Sequence, residues 1–187
     1  MKNIFIGGVA KSGKSRLAVE LCKKNHMNHI PLDYFASSFK HYFPEIGIVS
    51  NVMIDEKSSE LLAKFLSRFI EIADSMGDEF FIVDSAHILP HDILPYLNPE
   101  KWDIYYLGYP SMTSNEKFDE VMQYANDGWV AKKSKEELLK TLDGLIHLSK
   151  MIEKECREYS IPFINTSRDD VIRLLKDGNI FPKSVTL

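Results

Sequence analysis

The sequence has no long hydrophobic run and only a small excess of charge. No stretch of its 187 residues approaches the roughly eighteen apolar residues of a membrane span, and its first residues contain no apolar run of signal-peptide length. A net charge of −4 argues against general nucleic-acid binding, which requires a basic face. We therefore expect a cytoplasmic protein that binds neither nucleic acid nor membrane.

Cysteine pairs, internal repeats, low-complexity tracts and linkers are also missing. The two cysteines, Cys22 and Cys156, both lie in helical patterns and have no metal-ligand spacing. Hydrophobic residues at 44% and charged residues at 27% are typical of globular proteins. Because the length also suits one core, the sequence predicts a single domain over residues 1–187.

Short apolar runs alternate with helical patterns along the chain. The predicted strands are residues 3–6, 29–32, 79–83, 102–107 and 161–164. The predicted helices are residues 14–24, 56–75, 168–176 and a long one capped by Ser134 that runs to about residue 159. This alternation predicts an α/β fold, with a five-stranded parallel sheet and helices on both faces.

Two segments lack a clear pattern. Residues 34–54 are predicted to be irregular, and residues 111–133 are polar and only loosely helical. Both follow the carboxyl end of a predicted strand, which is where an open α/β sheet places its ligand site.

Residues 8–15 read Gly-Val-Ala-Lys-Ser-Gly-Lys-Ser and satisfy the P-loop pattern G-x-x-x-x-G-K-[ST]. The glycines let backbone N–H groups converge on phosphate oxygens, Lys14 reaches the β- and γ-phosphates, and the Ser15 hydroxyl binds Mg²⁺. Lys11 and Arg16 flank the loop, where a solvated role is the ordinary one. The predicted phosphate-binding residues are Gly8, Val9, Ala10, Lys11, Ser12, Gly13, Lys14, Ser15 and Arg16.

With this loop the sequence resembles the nucleoside-monophosphate-kinase-like group of P-loop kinases, which includes adenylate, shikimate and gluconate kinases. The resemblance is carried by the loop, by Asp33 after the second strand, and by residues 81–84, 107–110 and 163–167 at the ends of the next three. It implies a P-loop NTPase fold, ATP as phosphoryl donor, an acceptor-side insertion at 34–55 and a lid at 111–133.

Other classes of P-loop protein fit less well. A GTPase carries an N-K-x-D motif and a D-x-x-G switch, and neither occurs here; Asp84 is followed by Ser-Ala-His. A larger ATPase brings a second domain, for which no residues remain.

Two aspartates at strand ends are candidate site residues. Asp84 follows four apolar residues and is expected to bind Mg²⁺ together with Ser15, usually through water. Asp33 lies where the resembling kinases place a carboxylate that orients the acceptor hydroxyl or takes its proton. Either residue can instead be an ordinary turn aspartate.

The predicted lid departs from the resembling kinases, whose lids supply arginines that clamp the transferred phosphoryl group. Residues 111–133 contain Lys117, Lys132 and Lys133 but no arginine. Lysine neutralises charge without the two-pronged contact of arginine. Lys132 and Lys133 are therefore predicted, with Lys14, to be catalytic; Arg168 is an alternative source of charge.

Three further groups of residues are weaker candidates for the site. His87 is a possible acceptor contact, although isolated histidines are more often surface or core residues. Phe39, His41, Tyr42 and Phe43 can stack a ring, but packing is their more common role. Thr166 and Ser167 are interpreted as caps of the last predicted helix.

The sequence thus predicts an ATP-dependent kinase that transfers the γ-phosphoryl group to a hydroxyl or phosphate of a small molecule. Two alternatives stay open, an ATP-binding regulatory module and a slow ATP hydrolase. The sequence does not identify the acceptor or the oligomeric state.

Overall fold

The computed structural model describes residues 1–75, 80–124 and 128–167. The strands are β1 (Asn3–Gly8), β2 (Asn28–Pro31), β3 (Phe81–Asp84), β4 (Trp102–Gly108) and β5 (Phe163–Asn165). The helices are α1 (Lys14–Asn25), α2 (Leu32–Tyr42), α3 (Glu56–Ser75), α4 (Pro90–Ile93), α5 (Ser114–Tyr124) and α6 (Lys135–Glu158), and a short 3₁₀ turn covers Pro44–Ile46.

The five strands form one parallel sheet in the order β2-β3-β1-β4-β5. In the register of this sheet Ile6 pairs with Asp84, and Asp84 pairs with Pro31 on the other side. Gly8 pairs with Leu107. The carboxyl ends of β1, β2, β3 and β4 therefore meet at one edge, which confirms the predicted α/β fold with a parallel sheet.

The sheet separates two hydrophobic cores because successive side chains of a strand point to opposite faces. On one face Ile4, Ile6 and Ile82 pack against Leu17 and other buried residues of α1. On the other face Phe5, Val83 and Tyr106 belong to a larger core to which α3 and α6 contribute. Within the described ranges, no helix has the length and apolar character that a membrane span requires.

Long elements match their predictions. α3 has the predicted bounds, and α6 begins at the predicted capping box, in which Ser134 and Glu137 bind each other's backbone N–H groups. The last predicted helix, 168–176, lies outside the described residues.

The prediction of irregular structure for residues 34–54 is wrong at its beginning, because α2 runs to Tyr42. Leu32 and Ala36 are buried four positions apart, but exposed aromatics such as Tyr34 obscure that spacing in the sequence. The loosely helical segment after β4 contains a full helix, α5. Thr113 and Glu116 cap its first turn reciprocally, a Thr-x-x-Glu capping box that can be seen in the sequence.

Candidate active site

The loop between β1 and α1 has a backbone that few side chains tolerate. Gly8 and Gly13 have φ angles of 128° and 90°, and Lys11 also lies in the left-handed region at 58°. A Cβ atom on Gly8 would lie 2.0 Å from the carbonyl oxygen of Leu107 on β4. The next residue, Val9, donates its N–H to the same oxygen at 3.2 Å. Gly8 is therefore required both by its φ and by its close approach to β4.

Lys14 is the first residue of α1 and is 5% exposed. Its Nζ donates to the carbonyl oxygen of Val9 at 2.7 Å, so the side chain folds back over the loop. Burial lowers the pKa of Lys14; the charges of Asp33 and Asp84 oppose this effect, and the charge of Lys117 adds to it. The buried ammonium group thus lies within electrostatic reach of three other candidate residues.

The loop also contains a buried hydroxyl group that bonds no described residue. The Ser12 Oγ atom has no hydrogen-bond partner among the described residues, although Ser12 is 3% exposed. The N-cap of α1 is Gly13, and no side chain of the described residues caps this helix. A buried hydroxyl group and the N–H groups at the start of a helix are donors suited to phosphate oxygens. The residues of the loop therefore fit the phosphate group that the sequence predicts.

Asp84 links the loop to the neighbouring strands. Ser15 donates its hydroxyl to Asp84 Oδ2 at 2.6 Å, and His29 on β2 donates from Nε2 to Asp84 Oδ1, also at 2.6 Å. Asp84 is 2% exposed. Both carboxylate oxygens are therefore held, one by the P-loop and one by the edge strand of the sheet.

The Ser15 and Asp84 oxygens suit a hard cation such as Mg²⁺. Within the described part of the chain, no three His, Cys, Asp or Glu side chains converge on a preformed metal site. Mg²⁺ usually takes one or two protein ligands and completes its coordination with phosphates and water. The donor set therefore fits Mg²⁺ that arrives with a nucleotide.

Asp33 lies in the first turn of α2 rather than at the end of a strand. Its Oδ1 accepts the N–H of Ala86 at 2.9 Å and the Ser85 hydroxyl at 3.4 Å. No described residue bonds Oδ2, and the side chain is 38% exposed. Asp33 is thus fixed through one oxygen beside the carboxyl end of β3, while its side chain remains partly exposed.

His87 is buried next to Asp33. Its Nε2 lies 3.9 Å from Asp33 Oδ1, and its Nδ1 has no partner among the described residues. Burial lowers the pKa of His87; Asp33 opposes this effect, while Lys14 and Lys40 add to it. Burial therefore favours the neutral form of the His87 imidazole, which can take part in hydrogen bonds without adding charge.

The aromatic side chains of the predicted insertion divide into two groups. Phe39 contacts Phe65 of α3 edge-on at 5.0 Å between ring centroids, which is core packing. Tyr34, Tyr42 and Phe43 are exposed. The exposed side chains are available to stack on a ligand ring, and such stacking remains a prediction.

The lysines of the predicted lid lie in different environments. Lys132 is exposed, and Lys133 lines a small cavity of about 180 Å³ with Phe118 and Leu138. None of the contacts in the described residues joins Lys132 or Lys133 to the P-loop. Lys117 instead is buried, and its charge acts on Lys14. The structure thus brings Lys117, rather than the two predicted lysines, near the loop.

The end of β5 is tied to the end of β4. Thr166 donates its N–H and its hydroxyl to the Gly108 carbonyl oxygen at 2.8 and 3.1 Å. Ser167 Oγ accepts the Ser111 N–H at 3.1 Å. These contacts fix the β5 edge of the site, whereas the helix that both residues were predicted to cap lies outside the described residues.

Two residues of the site escaped prediction. The bond of His29 to Asp84 depends on the pairing of β2 with β3, which no local pattern reveals. The burial of Lys117 was not predicted, although the sequence contains a signal for it. The Thr113 capping box indicates where the helix begins, and Val121, four residues after Lys117, indicates its inner face.

No family model and no curated protein matches the sequence. Solved structures that share the fold include a sugar kinase from Janibacter sp. HTCC2649, with a TM-score of 0.62 and 15% identity over 100% of this chain and 99% of that chain. A gluconokinase from Sinorhizobium meliloti 1021 has a TM-score of 0.60 and 12% identity over 94% of this chain and 88% of that one.

A shikimate kinase from Acinetobacter baumannii, solved with shikimate, has a TM-score of 0.57 and 12% identity over 97% of this chain and 96% of that chain. At these identities the similarity concerns the fold. The chain has the fold of the P-loop small-molecule kinases, as the resemblance of its sequence predicted.

Proposed function

We propose that the protein is an ATP-dependent kinase that phosphorylates a small molecule. The observation that carries this proposal is that Ser15 of the P-loop bonds Asp84, while Asp33 accepts the N–H of Ala86, two residues after Asp84. In this proposal Asp84 belongs to the nucleotide side, and Asp33 offers the acceptor an oxygen that no described residue bonds. A phosphate cradle and a candidate acceptor base thus lie at the same edge of the sheet.

On the donor side, backbone N–H groups of the P-loop other than that of Val9, which bonds β4, and the Lys14 ammonium group bind the phosphate chain. Ser15 and Asp84 hold Mg²⁺ in this proposal, and His29 fixes the orientation of Asp84. Mg²⁺ neutralises charge on the phosphate oxygens when it is bound. Together these groups hold the γ-phosphoryl group in place for in-line attack.

On the acceptor side, Asp33 Oδ2 accepts the hydrogen bond of the attacking hydroxyl. The acceptor oxygen forms a bond to the γ-phosphorus as the bond to the β,γ-bridging oxygen breaks, which yields ADP and a phosphate ester. The acceptor proton passes to Asp33 and then to solvent. His87 lies beside this carboxylate, and its burial favours the neutral imidazole as a hydrogen-bonding group.

One observation favours a binding module without transfer. Asp33 Oδ1 accepts the Ala86 N–H, a contact that by itself explains why a carboxylate occupies this position. In that alternative, ATP binds and no acceptor is phosphorylated; a slow hydrolase would release phosphate to water alone. A cytoplasmic location, a role for Lys132 and Lys133, and a lid at 111–133 remain predictions under each of these functions.

The test is a screen for acceptor-dependent ADP release with Mg·ATP. Because the fold neighbours include kinases named for sugars, gluconate and shikimate, polyols, sugar acids and cyclic hydroxy acids are screened first. We expect one class to raise ADP release above the acceptor-free rate and to yield a phosphorylated product by mass spectrometry. Lys14→Ala controls for contaminating kinases. ATP binding without any phosphorylated acceptor would favour the binding module.

A further inference from the structure

The P-loop contains a strained peptide group between Ala10 and Lys11. Lys11 has a φ angle of 58°, in the left-handed region that a residue with a Cβ atom rarely adopts. The ψ angle of Ala10 and the φ angle of Lys11 together set the direction of this peptide group. A half-turn of the group would change both angles and take Lys11 out of the left-handed region. The observed direction therefore costs free energy that a contact must offset.

Tyr109 makes a contact that holds this peptide group. Its hydroxyl donates to the Ala10 carbonyl oxygen at 2.8 Å. A trans peptide group is planar, and its C=O and N–H bonds point in opposite directions. The bond that holds the Ala10 carbonyl towards Tyr109 thus turns the N–H of Lys11 to the other side. If the peptide group turned over, a carbonyl oxygen would take the place of that N–H and would repel an anion bound there.

Tyr109 is itself held by a strand and a helix. It directly follows β4 and is fully buried, and its N–H donates at 3.2 Å to the hydroxyl of Ser149 on α6. Ser149 is also buried and donates to the carbonyl oxygen of Leu145 one turn earlier in α6. The Tyr109 hydroxyl thus reaches the loop from a position that the core of the protein fixes.

Tyr106, on the same strand, makes a similar bond outside the P-loop. It is fully buried, and its hydroxyl donates at 3.2 Å to the carbonyl oxygen of Ile88, between β3 and α4. None of residues 85–92, all of which the structure describes, has a positive φ angle. Tyr106 is therefore a matched control, because it offers the same bond to a backbone that is not strained.

We propose that Tyr109 is a positioning residue for the phosphate chain, whose hydroxyl holds the Ala10 carbonyl so that the N–H of Lys11 faces the bound phosphate. Tyr109 acts through the loop backbone and does not contact the nucleotide. Without the hydroxyl, a fraction of the molecules carries the turned peptide group, and the apparent affinity falls in proportion to the fraction that remains competent. This inference rests on the nucleotide-binding part of the proposed function.

The test measures binding without an acceptor, by calorimetry with Mg·ATP and with inorganic tripolyphosphate. Tyr109→Phe removes the hydroxyl and keeps the ring, including the face that Lys117 contacts. We expect the affinity for both ligands to fall about 3- to 10-fold, the range of one hydrogen bond. Tyr106→Phe also removes a buried hydroxyl from β4 and should bind both ligands as the parent does.

Substitutions of Lys11 separate the direction of the peptide group from a general effect on packing. Glycine adopts a positive φ angle without the steric cost that alanine and lysine share. When Lys11→Ala is the reference protein, Tyr109→Phe should lower the affinity by the full factor. When Lys11→Gly is the reference, the same change should lower it by about twofold or less. Both references lack the lysine charge, so that charge does not affect the comparison.

Three results would overturn the assignment. The first is a Tyr109→Phe variant that binds both ligands as the parent does. The second is an equal loss of affinity in the Lys11→Gly and Lys11→Ala proteins, which would show that Tyr109 acts by packing alone. The third is an equal loss in Tyr106→Phe.

Lys14→Ala in the same titration separates a failure of this inference from a failure of the proposed function. If Lys14→Ala and Tyr109→Phe both bind as the parent does, nucleotide binding in the P-loop is wrong. If Lys14→Ala alone loses affinity, only the role of Tyr109 is wrong.

Discussion

The donor side of the site, residues 8–17 with Asp84, and the acceptor side, residues 32–43 with 85–92, are built from different groups. On the donor side the backbone forms the site, through positive φ angles at Gly8 and Gly13 and a bond from Val9 to β4. On the acceptor side the groups available to a ligand are side chains, and Tyr34 and Tyr42 are each 72% exposed.

This difference reflects the ligands that each side is proposed to bind. A phosphate chain is bound by N–H groups and by lysine, which can be specified by eight consecutive residues. An acceptor is selected by a few side chains that α2 and the β3–α4 turn bring together from separate parts of the sequence. The donor side should therefore tolerate little change of backbone, and the acceptor side little change of specific side chains.

The largest expected effect is that of Asp33→Asn on acceptor-dependent turnover. The amide keeps the shape and the Ala86 contact at Oδ1 but loses the charge and basicity at the second oxygen. We expect the rate to fall about 10²–10⁴-fold, the usual range for a positioned base, with ATP affinity nearly unchanged. Steady-state kinetics with the identified acceptor measures both quantities.

Asp103→Asn is the matched control for Asp33→Asn. Asp103 lies at the amino end of β4, away from the carboxyl strand ends that form the site, and it forms an ion pair with Lys2. We expect its rate to equal that of the parent. If Asp33→Asn phosphorylates the acceptor at the parent rate, the assignment of Asp33 as base is refuted. Catalysis would then depend only on positioning by Lys14 and the metal.

Lys14→Ala should have the next largest effect, on the donor side. It removes a charged group proposed to bind phosphate, so ATP affinity should fall about 10- to 100-fold. The stabilisation of the fold by Mg·ATP should shrink accordingly, while the unliganded protein melts near the parent temperature. Thermal unfolding with and without Mg·ATP provides the measurement.

Lys23→Ala, an exposed lysine of α1 that pairs with Glu20, serves as the control for Lys14→Ala. It should show the parent shift in melting temperature. An equal ligand-induced shift in Lys14→Ala would contradict the P-loop assignment.

How far each side could be predicted depends on the separation of its residues along the chain. The P-loop could be predicted because strand, glycine turn and helix start follow one another within residues 3–17. The pairing of His29 with Asp84 spans 55 residues and depends on sheet order. Helix α2 was missed because its buried positions, Leu32 and Ala36, are surrounded by exposed aromatics that dilute the helical pattern.

Asp84→Asn should have a smaller effect, limited to binding that depends on Mg²⁺. The amide oxygen can still accept the Ser15 hydroxyl, but the charge that attracts the cation is lost. We expect the affinity for Mg·ATP to fall about tenfold, and the affinity for ATP in chelator to change little. If titrations with and without Mg²⁺ change equally, Asp84 only shapes the loop.

The smallest expected effect is on the pH dependence of the free energy of unfolding. It arises from His87, which lies on the acceptor side. Burial lowers the pKa of His87 in the folded protein below the ordinary value of 6.5. As the pH falls through 6.5, the unfolded chain therefore takes up a proton at this residue before the folded one does. The free energy of unfolding then decreases as the pH falls, until the lower folded pKa is reached.

His87→Gln removes this titration, so its unfolding free energy should depend less on pH between about 7 and 5 than that of the parent. Urea unfolding at a series of pH values measures each slope. Asp33 opposes the effect of burial on His87, so Asp33→Asn should steepen the dependence. Identical slopes in the parent and in His87→Gln would mean that water reaches the imidazole and that the acceptor side is open around it.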